Sequence, residues 1–189
     1  FPFGIGPGCF RHGFEVLCNH SSHPPPAFLA NNRILKEESS FNAMGSVFRG
    51  SPSVSVPLEL VSLSVTTGEA QAYAGVSYIC HTNDTGGYFA MTQYMELYNT
   101  PFTVSVKRNV LIGVGLEAEP LLDSSTAMKF QLSCHAKDNP DFLTATSGSC
   151  TGRGCCEATI PVQVHPAHRY VLRMQDEVSN NESKAYPCS

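Results

Sequence analysis

An all-β fold, antiparallel, loop-rich, disulfide-stapled and β-sandwich-like with little helix, is predicted by three features of this 189-residue sequence. Short segments alternate apolar and polar residues, as strands with one buried face do. Gly (15) and Pro (13) are scattered along the chain, and charged residues make up only 15%, against about 25% in ordinary domains. That balance favours turns and short strands over long solvated helices. Eight cysteines, spread from Cys9 to Cys188, form an even set for cross-linking. A chain of this length buries roughly 70% of its unfolded surface on folding, enough for one substantial core.

Taken in order, Phe10–Cys18 reads as a short strand, and Ser21–Pro26, with three consecutive prolines, as a loop. Glu37–Pro57, rich in Ser and Gly, reads as a second flexible stretch. Leu58–Val65 and Ala70–Cys80 flank Thr66-Thr67-Gly68-Glu69 and predict a hairpin. Gly87–Asn99 fits a strand or a helical turn. Thr100–Val106 places Phe102, Val104 and Val106 on one face, and Lys107-Arg108-Asn109 then turns the chain into Val110–Leu116. Ala127–Cys134 aligns Met128, Phe130 and Leu132, and Thr159–Val164 is a further strand. Asn139–Gly154 is expected to be loop, and Ser179–Lys184 a polar lead-out segment. No internal repeat is visible.

The densest motif is C-x-G-x-G-C-C-x-x-x-I-P at Cys150–Pro161. Adjacent cysteines are poorly placed to bridge each other, so Cys155 and Cys156 are expected to engage two different partners. Cys134, Cys150 and Cys188 are the nearest candidates. No C-x-x-C pair offers a structural zinc half-site, so all eight residues (Cys9, Cys18, Cys80, Cys134, Cys150, Cys155, Cys156 and Cys188) read as a secretory disulfide framework. Three cysteines precede Leu116 and five follow it. Complete pairing within the chain therefore requires a bridge across that point. Asn19, Asn83 and Asn181 head N-x-S/T sequons, which agrees with an extracellular glycoprotein. No apolar run approaches the ~20 residues of a membrane span, and the first residues lack the pattern of a signal peptide. The expectation is a soluble extracellular piece making no membrane contact itself.

Enzyme signatures fail on inspection. Gly4-Ile5-Gly6-Pro7-Gly8 lacks the Lys-Ser/Thr of a phosphate loop, and His165-Pro166-Ala167-His168 has no third metal ligand beside it. Gly75-Val76-Ser77-Tyr78-Ile79 is no nucleophile elbow, and nothing pairs Glu117/Glu119 or Asp138/Asp141 into a glycosidase dyad. The reading is a non-catalytic chain with no cofactor and no metal site of its own. A net charge of −4 gives no footing for nucleic acid.

Several ordered blocks closely resemble the ectodomain of plant wall-associated receptor kinases. They are P-F-G-I-G-P-G-C-F at Pro2–Phe10, G-F-E-V-x-C-N at Gly13–Asn19, V-S-Y-x-C at Val76–Cys80 and P-F-x-V-S-x-x-R-N-V-L-x-G-V-G at Pro101–Gly115. The Cys150–Pro161 motif and the closing Pro187-Cys188-Ser189 complete the set. The resemblance implies a galacturonan-binding module over residues 1–115 and a cysteine-rich segment over 116–189, joined covalently as one unit. It departs from the family in lacking a C-x-x-x-C-G segment before Pro2 and a cysteine at Leu116. A further family cysteine, a few residues before Cys134, is also missing. The resemblance also implies a larger receptor with a cytoplasmic Ser/Thr kinase, none of whose signatures occurs here.

On that resemblance, the expected function is extracellular recognition of cell-wall pectin on the apoplastic face of the plasma membrane. Cations must then meet a polyanion, with calcium as a candidate bridge. Arg169 and Arg173 are the preferred stripe, since residues four apart share a face in a strand or a helix. Lys107 and Arg108 come second, with Arg153, His165 and His168 as further candidates. Protonating the seven histidines in acidic wall fluid would reverse the sign of the net charge. The alternative is an immune-receptor ectodomain that recognises a secreted protein or co-receptor. Tyr88, Phe89, Tyr94 and Tyr98 would then supply an aromatic patch.

Overall fold

Alternating burial, locked by main-chain ladders, produces twelve β-strands and no helix among the described residues of the computed structural model. Those are residues 1–41, 47–50, 53–81, 87–97, 100–115, 118–124, 130–136, 150, 154–161 and 169–175. The strands are β1 (Val16–Cys18), β2 (Ala27–Phe41), β3 (Val47–Gly50), β4 (Val54–Ser64), β5 (Glu69–Ala72) and β6 (Tyr78–His81). They continue as β7 (Tyr88–Glu96), β8 (Val110–Val114), β9 (Glu119–Ser124), β10 (Gln131–Ser133), β11 (Cys155–Thr159) and β12 (Arg169–Gln175). The all-β, antiparallel, disulfide-stapled class expected of the sequence is the one found.

Ten strands form one curled sheet in the order β10-β9-β12-β7-β2-β4-β5, with β1 and β3 added on β2 and β6 on β7. A two-stranded β8–β11 ribbon accompanies it. β2 is the spine, because its 15 residues pair with β7 and β1 along one edge and β4 and β3 along the other. Residues directly opposite in a ladder share a face. Ile34 therefore lines up with Val56 on β4 and Met95 on β7, and Met95 with Tyr170 on β12. That row is the core, where Leu29, Ile34, Leu58, Leu97 and Tyr170 are buried together. β12 lies between β7 and β9, so strands from either side of position 116 share one sheet.

Two further attachments fix the core's ends. Phe3 stacks on Phe102 and Phe14 meets both edge-on, with ring centroids 5.1–6.0 Å apart, drawing the first residues onto the sheet. Ala118, Ala136 and Cys156 form a smaller buried cluster under the β8–β11 ribbon.

Several elements differ from expectation. Glu37–Pro57 is not a loop, since it contains the end of β2, all of β3 and the start of β4. Its polar residues sit on a strand with partners on both sides, so the ladder overrides local propensity. Gly87–Asn99 holds β7, a strand and not a helical turn. Thr100–Val106 forms no strand, although Phe102 and Val104 still pack against the core. The Ala70–Cys80 strand is interrupted after Ala72 and resumes at Tyr78. Of the strand predicted at Thr159–Val164, Thr159 is the last residue of β11, where Cys155 to Thr159 pair with Val114 to Val110; Ile160 and Pro161 lie in no strand, and residues 162–164 are outside the described residues.

Candidate functional site: the outer face of β12

The row next to the core row faces outward and carries the preferred cations. Arg33 on β2, Glu96 on β7 and Arg169 on β12 are directly opposed. One step along lie Leu35, Tyr94, Val171 and Asp123. Arg169 and Arg173 share this face because an even spacing along a strand returns to the same side. The predicted stripe is thus a strand stripe.

Each arginine of the stripe already has a carboxylate. Arg173 Nη2 lies 3.1 Å from Asp123 Oδ2, and Arg169 Nε lies 3.6 Å from Glu96 Oε1, an ion pair too long for a hydrogen bond. The Arg169 guanidinium also stacks over the Tyr94 ring at 4.5 Å, a cation–π contact. The Tyr94 hydroxyl in turn donates to Glu37 Oε2 at 2.9 Å. Burial, then the hydrogen bond to Glu37 and that residue's negative charge, lift the Tyr94 phenol above its ordinary value, while Arg169 and Arg173 pull the other way. Arg33, Arg169 and Arg173 are therefore interleaved with Glu37, Glu96 and Asp123, a charge-balanced lattice. These partners escaped the sequence reading because Glu96 and Asp123 arrive from β7 and β9, at registers no local pattern records.

The secondary cations lie elsewhere. Arg108 Nε pairs with Glu69 Oε1 at 3.0 Å, tying the turn before β8 to β5. Lys107 is exposed and has no carboxylate partner among the described residues. Arg153, His165, His168, Asn83, Asn181, Tyr98 and Cys188 lie outside the described residues. Asn19 is exposed after β1, its side-chain oxygen accepting from the Ser21 amide at 3.0 Å. The aromatic candidates do not gather into a bare patch. Tyr88 stacks on Phe41 at 4.5 Å, Phe89 meets Tyr78 edge-on, and Tyr94 is covered by Arg169. Among the described residues, no three His, Cys, Asp or Glu side chains are grouped to hold a metal ion.

Strand alternation explains the adjacent cysteines. Cys156 points inward and bridges Cys134, with Cα atoms 5.7 Å apart, while Cys155 bridges Cys150 at 5.4 Å. Gly113 faces Cys156 across the ribbon, where a Cβ would collide with the Pro120 ring and come within 3.2 Å of Cys156 Sγ. Cys80, buried on β6, is also disulfide-bonded. Cys9 and Cys18 differ from the expected framework, for both are free thiols. Each is held by local structure: Cys9 by a turn to the Gly6 carbonyl, and Cys18 opposite Ala27 in the ladder.

No family model matches the chain, and no solved structure does. The chain is 26% identical over 187 residues to wall-associated receptor kinase-like 17 of Arabidopsis thaliana. The match takes in 85% of this chain but only 21% of that protein, so the chain spans about a fifth of its relative. At that identity, the likeness supports a family-level relationship to the wall-associated receptor kinase-like proteins and no more.

Proposed function

We propose that this chain is the extracellular, non-catalytic ligand-recognition module of a plant cell-surface receptor kinase, and that it binds acidic wall pectin on the outer face of β12. The carrying observation is the arrangement of Arg33, Arg169 and Arg173 on one face of β2 and β12, the two strands that flank β7. With strands about 4.8 Å apart and a rise of about 3.3 Å per residue, they stand roughly 10 Å apart across the sheet and 13 Å along it. Such an array suits a ligand with repeated carboxylates. The Arg173–Asp123 pair is partly exposed and the half-buried Arg169–Glu96 pair is long, so each is taken as worth about 0–1 kcal/mol and a polyanion can exchange for Glu96 and Asp123. The same competition makes binding weak for any single carboxylate and strongly salt-dependent.

Calorimetry with oligogalacturonides at about pH 5.5 and about pH 7.5, with and without calcium, tests this reading. Salt-sensitive binding that is tighter at the lower pH is expected, with none to a neutral oligosaccharide. No binding under any condition overturns it. A second reading, recognition of a secreted protein, is favoured by Val110, Ile112 and Val114, which stand 44%, 52% and 73% exposed along one side of β8. An interface on that strip would survive added salt.

A further inference from the structure

The geometry points to a second binding site, unrelated to the cationic face: the cavity between the sheet's inner face and the β8–β11 ribbon holds a small, uncharged, largely apolar molecule that donates one hydrogen bond to Gln93 Oε1. The cavity measures about 350 Å³. Its floor includes Ile34, Met95, Tyr170 and Leu172, and the ribbon side contributes Leu111 and Ile160. Four of these six, Ile34, Leu111, Ile160 and Tyr170, are 5% exposed or less, so the space penetrates the core. Protein interiors close over voids larger than a few water molecules, whereas ligand sites begin near ~300 Å³. Among the described residues no charged side chain lines the cavity, which disfavours a carboxylated sugar there.

The polar groups of the wall show what the guest must supply. Ser77 donates its hydroxyl to the Leu172 carbonyl at 2.6 Å, and Asn109 Nδ2 donates to the Ser105 carbonyl at 2.8 Å. Gln93 Nε2 donates to the Val76 carbonyl at 3.2 Å. Gln93 is only 6% exposed, and its Oε1 has no partner among the described residues and lies buried against Gly75, so it meets a guest once the amide swings toward the cavity. A buried acceptor left unpaired destabilises a fold, and buried polar groups are normally satisfied. Gly75, also on the wall, makes room for it, because a Cβ there would fall on the Gln93 amide. A donor on the guest, a hydroxyl or an uncharged N–H, completes the site. The matching class is a phenol-sized to bicyclic alcohol with an apolar body.

2-Naphthol serves as the probe, with 2-methoxynaphthalene as the analogue that cannot donate. The folded chain, labelled at its methionine methyls, is titrated by NMR and by fluorescence. The expected result is saturable binding that shifts Met95 and Met174, both on the cavity wall, and leaves Met91 unmoved. 2-Naphthol should bind about tenfold more tightly than its methyl ether, the usual worth of one neutral hydrogen bond. Gln93→Leu should abolish that preference while retaining the ether. Non-saturable shifts, shifts that include Met91, or equal affinities for the two probes in the wild-type chain would each overturn the site. The wild-type readouts decide even if the variant fails to fold, and none of them depends on pectin.

Discussion

Gly113→Ala puts one methyl group into a closely packed seam between β8 and β9. Its Cβ would stand 2.7 Å from Pro120 Cγ and 3.2 Å from Cys156 Sγ. Carbon atoms prefer about 3.5–4.0 Å, so the proline ring and the new methyl overlap by about 1 Å. Neither neighbour yields easily. Pro120 is fully buried on β9, and Cys156 is held by its bridge to Cys134. The β8–β11 ribbon must therefore lift from β9, loosening the Ala118, Ala136 and Cys156 cluster beneath it. Overpacking of this kind costs about 1–3 kcal/mol. For a domain of this size, each kcal/mol moves the midpoint by about 2–4 °C, giving a drop of about 2–12 °C. Scanning calorimetry of Gly113→Ala beside Val114→Ala, whose native side chain is 73% exposed, measures it. The control should stay within about 0.5 kcal/mol of wild type. If Gly113→Ala did so too, the ribbon could not pack on β9 as described.

Leu29→Ala, at a core position 2% exposed, should lower unfolding free energy by about 2–5 kcal/mol in urea titration. Loss of the Cys134–Cys156 bridge, which spans 22 residues, should cost about 3 kcal/mol, and loss of Cys150–Cys155, which spans five, about 2 kcal/mol. Thiol counting of Cys156→Ser should find Cys134 newly reactive. Because the fold holds the Tyr94 phenol in its protonated form, that contribution is complete below its ordinary pKa of 10.0 and is lost as pH rises through the higher folded value. The stability advantage of wild type over Tyr94→Phe should be constant at lower pH and shrink on alkaline titration.

What the sequence disclosed depended on whether an element's neighbours are near in the chain. The β4–β5 hairpin was legible because Thr66-Thr67-Gly68-Glu69 separates two alternating runs, and β8 because Lys107-Arg108-Asn109 precedes one. β2 was hidden, though it is the longest strand. Its outer face is solvated and its inner face contains Asn32, which is 1% exposed and donates to Thr100 Oγ1 at 3.4 Å. A buried amide answered by a residue 68 positions away breaks the apolar alternation that marks a strand. The candidate site divides in the same manner. Arg169 and Arg173 share a face by spacing alone, but their neutralisation by Glu96 and Asp123 follows from register across β7, β12 and β9. The cavity beside Gln93 draws its wall from segments between Ile34 and Met174, so no window of sequence could display it.

In the proposed function, Arg169 and Arg173 meet an anionic ligand, and both are restrained by their own carboxylates. Glu96→Gln with Asp123→Asn removes both restraints while keeping side-chain shape. Calorimetric titration of that double variant with oligogalacturonide at about pH 5.5 is the most direct test. Affinity should rise above wild type, by about tenfold if each freed arginine returns about 0.7 kcal/mol, and fall away when Arg169→Ala and Arg173→Ala are added. Affinity unchanged by the double variant, or absent from both proteins, would contradict pectin recognition on this face.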